Sequence, residues 1–139
     1  MLIRSLRVAA RMTTGSTYAI LGLDAVRSPG PRIDMAASTL AAIRKVVPLP
    51  SEDEQIVRVN AAVQAVAGAV LVSGKAQRLA ALALIASLIP TTAAGHAFWN
   101  IEDPLARKMQ RTQFHKNMAM LVGLLFAICD DARPAPAAG

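Results

Sequence analysis

The chain has 139 residues, room for one domain, and its 54% hydrophobic content is carried by Ala, Leu, Val and Ile because aromatics supply only 4%. A net charge of +6 raises nucleic acid as a partner, but the basic residues sit in short groups between apolar runs (Arg4, Arg7, Arg11; Arg44, Lys45; Lys75, Arg78; Arg107, Lys108, Arg111) with no aromatics among them, which excludes a phosphate-tracking stripe. One cysteine, Cys129 at the end of an apolar run, excludes an internal disulfide and a thiolate metal cluster.

The first apolar stretch, residues 8–26, contains Arg11, a Thr-Thr-Gly-Ser-Thr patch and Asp24, so a helix there needs protein neighbours to cover its polar groups. Arg4, Arg7 and Arg11 ahead of it also suggest a secretory signal. The hydroxyl-rich centre and the lack of an Ala-x-Ala site afterwards argue against that reading. The following loop opens on Ser28, Pro29, Gly30 and Pro31 and closes on Pro48, Leu49, Pro50 and the acidic run Glu52-Asp53-Glu54. Within it Ile33, Ala36, Ala37, Leu40, Ile43 and Val47 recur at helical spacing, which predicts a short amphipathic helix lying along the membrane surface.

Residues 57–73 form a second span, free of charge after Arg58 and turning at Ser73-Gly74. The third is the clearest. Residues 79–101 carry no charged side chain, are bounded by Arg78 and Glu102, and end in the aromatic pair Phe98 and Trp99. At a rise of about 1.5 Å per residue this run reaches about 35 Å, enough for a hydrocarbon core of about 30 Å. A helix is expected over 79–99, kinked at Pro90, where Thr91 and Thr92 can satisfy freed backbone groups. The fourth span, 114–129, begins with His115, Lys116 and Asn117 at the interface and continues as an almost pure apolar run. A water-soluble four-helix bundle would have to hide the 79–101 run on all sides, which a peripheral helix of a small bundle cannot do. The expectation is therefore all-α: a four-helix transmembrane bundle with an additional interfacial helix in the first loop, one domain over 1–131, and a disordered Pro-rich tail over 132–139.

Four antiparallel spans gather the end of the first, the start of the second, the end of the third and the start of the fourth on one face. That face collects Asp24, Arg27, Arg58, Asn60, His96, Trp99, Lys116 and Asn117; the other has mainly Arg7, Arg11, Lys75, Arg78 and Asp130. Ionisable groups near a bilayer usually face the bundle or a wet cavity, so Asp24, Arg58, Asn60, His96, Trp99, Lys116 and Asn117 form the candidate binding face. Asp24 needs a cationic partner, for which Arg58 and Lys116 are the candidates. His96 and Trp99 stand three apart, as on one helix face. No catalytic set and no metal site stand out: there is no CxxC, no glycine-rich nucleotide loop, no Gly-x-Ser-x-Gly, and His96 with His115 lacks the further ligands a haem would need. Arginines before the first span place both termini in the cytoplasm by the positive-inside rule, although the first and third loops together carry more basic residues.

Arg78-Leu79-Ala80-Ala81, Pro90-Thr91-Thr92, Gly95-His96-Ala97-Phe98-Trp99, Phe114-His115-Lys116-Asn117 and the run with Gly123-Leu124-Leu125, together with Gly22-Leu23-Asp24 and Arg58-Val59-Asn60, resemble the DoxX family of small bacterial membrane proteins. His115 departs from the apolar residue usual between Phe and Lys, and a frequent Gly-Gly pair is broken by Val122 or Leu124. The resemblance implies a multi-pass protein of the bacterial inner membrane. It further implies association with oxidoreductase complexes: relatives of a thiosulfate:quinone oxidoreductase subunit, and mycobacterial members tied to superoxide dismutase, a sulfurtransferase and thiol balance. The expected partners are the lipid bilayer and soluble redox proteins, with no nucleic acid. No cofactor motif is evident in the residues. A quinone between the spans is the cofactor the resemblance leaves open, in a quinone-binding subunit; a small-solute carrier is the remaining class, for which only the Pro90 break speaks.

Overall fold

A computed structural model describes residues 2–131 in backbone and 2–129 in side chains; the tail over 132–139 lies outside the described residues. The described chain is all-helical: α1 (Leu2–Arg27), α2 (Arg32–Ile43), α3 (Asp53–Ser73), α4 (Gln77–Gly95), a 3-10 turn (Phe98–Asn100) and α5 (Pro104–Asp131).

Local chemistry sets most of the ends. Gly30, at φ +47°, makes the turn between the prolines that separate α1 from α2. Asp53 and Glu54 lie in the first turn of α3, where negative charge opposes the helix dipole, and Gly74 (φ 73°) closes the other end with its N–H on the Leu71 carbonyl. Three residues then reverse the chain into α4, with Ala76 forced to a left-handed φ of 46°. Asp103 caps α5, its carboxylate accepting the Ala106 N–H at 2.7 Å, with Pro104 as the first helical residue.

Two stretches, Asp53–Ser73 and Gln77–Asn100, are long and apolar enough to cross a membrane. The third predicted span is nevertheless shorter as a helix than its hydropathy: α4 stops at Gly95, four residues before 99, and the uncharged remainder passes into the 3-10 turn. The helix runs through Pro90 as one element, and the Thr91 hydroxyl donates to the Ser87 carbonyl at 2.8 Å. The other helices extend past their predicted limits, α1 back to Leu2 and α5 back to Pro104.

α3 is central, packed against α1 on one side and α4 on the other, and α5 lies against α4. Small residues take many of the inward positions, and many large ones face outward. Gly15, Gly22, Ala61, Ala67, Gly68, Ala80 and Ala81 are buried, whereas Val59, Val66, Leu79, Ile20 and Phe126 are each more than 60% exposed. This suits helices that meet by close backbone approach while large side chains face lipid. The buried cluster joins Tyr18, Ala67, Leu71, Ala80, Ala81, Leu84, Leu88 and Leu124. α2 packs against α4 and α3, with Leu40 buried and Ile33, Ala36, Ala37 and Ile43 half-buried, so most of its apolar stripe meets protein; Val47, the last of the predicted stripe, lies past the end of α2 and is exposed.

Candidate functional site

The candidate residues lie where α1 ends, α3 begins, α4 ends and α5 begins. Arg58 reaches across from α3: its guanidinium donates to the Val26 carbonyl in the last turn of α1 and to Glu54 Oε1 at 2.8 Å. A cation among the free carbonyls of a helix C-terminus is favoured by the dipole. At the far end of the pair the Arg11 guanidinium lies against Gly74, the cap residue of α3.

Asp24 pairs with neither Arg58 nor Lys116. Its partner is Arg32 of α2, at 3.1 Å, because the short turn over 28–31 brings α2 back against the end of α1. Both side chains are more than 40% exposed (41% and 61%), so the pair adds little to stability. Arg44, not singled out by the sequence reading, closes the rest of this loop: it donates to the carbonyls of Pro50 and Ser51 and meets Asp53 at 2.6 Å.

Asn60, two residues further along α3, sits in a closed hydrogen-bond set. Gln64 Nε2 donates to Ser87 Oγ (2.9 Å), Ser87 Oγ donates to Asn60 Oδ1 (2.8 Å), and Asn60 Nδ2 donates to Thr91 Oγ1 (3.0 Å). Asn117 Nδ2 donates to Thr92 Oγ1 at 2.9 Å, joining α5 to α4. Ser87 and Thr92 are only 4% and 2% exposed, so these bonds satisfy groups that lipid or apolar packing would leave costly. Of this set the sequence reading singled out Asn60 and Asn117 as site residues and missed Gln64 and Ser87. The available signal was spacing: Asn60 and Gln64 are four apart on one apolar helix, Ser87 and Thr91 four apart on the next.

His96 and Trp99 do not share a helix face. Gly95 ends α4, His96 is its cap, and Trp99 belongs to the 3-10 turn. His96 Nδ1 donates to Gln110 Oε1 of α5 at 2.7 Å, while Trp99 packs edge-on with Phe98 and Phe114 at centroid distances of 5.2 and 5.8 Å. Lys116 is exposed on α5 and joins none of the other candidates. The face therefore divides into a buried amide–hydroxyl set, an aromatic edge with His96, and two cationic positions, Arg58 half-buried and Lys116 exposed.

A sequence model described as DoxX matches residues 6–97, which takes in α1 to α4 together with Asp24, Arg58, Asn60 and His96. No curated protein and no solved structure matches the chain.

Proposed function

The chain belongs to the DoxX family, and from that premise and its apolar helices, which make it a membrane protein, we propose a four-span scaffold of the bacterial inner membrane that anchors or assists a membrane-associated oxidoreductase complex in thiol and oxidative-stress balance. The support for four spans is a spacing of charge. The contacts of Arg58 with Val26 and of Asn117 with Thr92 bring Arg27, Arg58 and Lys116 to one level; Arg11, Gly74, Lys75 and Arg78 mark the other. Arg58 and Gly74 are separated by about 24 Å of helix, which flexible basic side chains extend towards the hydrocarbon thickness. Between these levels Asp24 is the one charged residue in the described parts of the four long helices, and Arg32 holds it.

The observation that carries the scaffold reading is how the candidate polar groups are used. Asn60, Asn117 and His96 each bond to another helix, and Arg58 bonds to the end of α1. Their bonding capacity is directed to holding spans together. The test is fractionation of a strain lacking the chain: sulfurtransferase and superoxide-dismutating activities that leave the membrane fraction support an anchor, and activities that stay bound overturn it.

One observation favours the quinone-binding alternative. Tyr18 is 3% exposed and its hydroxyl has no hydrogen-bond partner; Arg11, two turns earlier on the same face of α1, buries an Nε that also lacks one. An O–H and an N–H donor facing the bundle interior are the kinds of group from which a quinone carbonyl accepts. Tyr18→Phe decides between the two. Under the scaffold reading it removes an unsatisfied hydroxyl and raises stability by about 1 kcal/mol with quinone content unchanged; loss of co-purifying quinone would favour the alternative.

A further inference from the structure

The outer face of α5 carries a charge pattern that neither reading uses. Lys108, Arg111, Thr112, His115 and Ala119 follow one another at helical spacing on the side away from α4, with Lys116 beside them, and Ala119, Val122, Gly123 and Phe126 continue the same side deeper. Arg111, Thr112, His115, Lys116 and Ala119 line a shallow groove of about 420 Å³. Among the described residues no carboxylate lies within ion-pair distance of Lys108, Arg111 or Lys116, and the sequence from Pro104 to Cys129 contains no acidic residue. His115 Nδ1 lies 2.7 Å from the Arg111 carbonyl, which only accepts, so Nδ1 is the donor and this bond ties the ring to its own helix.

We propose that this face binds an anionic phospholipid, its phosphate held by Arg111 and Lys116 and one acyl chain lying along Ala119 and Gly123. Three features select that occupant. The cations are unopposed and lie at the level of Arg58, where the charge-free part of the helices begins. The aromatic cluster of Phe98, Trp99 and Phe114 stands beside them, as aromatic side chains do at headgroup depth, with Trp99 56% exposed. Directly below, the helix surface falls away: a Cβ added at Gly123 would meet nothing within 4 Å, and Val122 (48% exposed) and Phe126 (70%) border the recess. A free phosphate ion would use the cations but not the recess, whereas a phospholipid uses both.

The proposal rests on the four-span reading, and the experiment separates the two. The full chain is reconstituted in nanodiscs of equal phosphatidylglycerol and phosphatidylcholine, extracted, and its retained lipid measured by native mass spectrometry. Phosphatidylglycerol should be retained in preference to phosphatidylcholine, and in the Arg111→Gln/Lys116→Gln variant that preference should fall about thirtyfold, the factor carried by two basic side chains near an anionic surface. Gly123→Leu, which fills the recess and leaves the cations, should reduce retention of both lipids. Arg4→Gln/Lys45→Gln removes two exposed charges elsewhere and should change nothing. Equal retention of the two lipids, an equal effect of the control pair, unchanged retention in Gly123→Leu, or displacement by millimolar inorganic phosphate would each overturn the site. A chain that alkaline washing strips from its native membranes would instead overturn the four-span reading.

Discussion

The two faces of α3 hold their neighbours by opposite means. Towards α1 the contact is made by missing side chains: a Cβ on Gly68 would lie 2.5 Å from the Ala19 nitrogen and 2.6 Å from the Gly15 oxygen, and one on Gly22 would lie 2.5 Å from the Ala65 nitrogen. Towards α4 it is made by added polarity, through Asn60, Gln64, Ser87 and Thr91. In lipid, apolar side chains gain little by leaving their surroundings, so helices associate through close backbone packing or through hydrogen bonds. This chain assigns one solution to each side of the same helix. The close contact is rigid because backbone cannot give way, whereas the polar contact can re-form with other donors.

That contrast predicts unequal responses to substitution. Gly68→Ala should have the largest effect, separating α1 from α3 at a loss of about 3 kcal/mol, the upper range for overpacking, measured by thermal unfolding in detergent. A change below 1 kcal/mol would mean that the helices can slide apart freely and that the contact is not tight. Asn60→Leu, on the other face, should lose about 1 kcal/mol, because Ser87 and Thr91 retain some partners in each other and in Gln64. Adding Ser87→Ala to Asn60→Leu should then lose less than the sum of the two single changes; strict additivity would show that the four groups do not act as a set. His96→Ala should lose about 0.5 kcal/mol, since Gln110 lies at the wet end of the bundle where water can replace the lost donor. A loss of partner-dependent activity with stability intact would move His96 from scaffold to site, and a much larger loss of stability would show that water does not replace the donor. The last expected change is equally small and in the opposite direction. Ala76→Gly, in the turn joining α3 to α4 and outside both faces, should raise stability by about 0.5 kcal/mol by relieving a left-handed alanine, less the added freedom of glycine in the unfolded chain.

Much of this arrangement is present in the linear chain. The uncharged run from Leu79, the acidic first turn at Asp53 and Glu54, Gly74 as a stop and Asp103-Pro104 as a start are local signals, and each marks a real element or boundary. The apolar spacing of Ile33, Ala36, Ala37, Leu40 and Ile43 likewise marks α2, because amphipathic periodicity is a property of one helix alone. The end of α4 is harder to read. Hydropathy continues to Ile101 while the helix stops at Gly95, since an apolar side chain in a turn is as hydrophobic as one in a helix.

What the sequence by itself determined is therefore that the chain is all-helical, roughly where the helices lie, that at least two of them are apolar enough to cross a membrane, and that polar groups concentrate at one end. Only the tertiary structure decided their partners. Arg32 rather than Arg58 or Lys116 holds Asp24, because the turn over 28–31 carries α2 back to the end of α1. Arg58 serves a carbonyl of α1, Asn60 meets Ser87 and Thr91 from residues 27 and 31 positions away, and the stripe of α2 faces α3 and α4. The physical reason is that hydropathy and capping are set by a residue and its near neighbours, whereas a hydrogen-bond partner is set by which helix lies alongside and at what height, and those depend on every contact in the bundle at once.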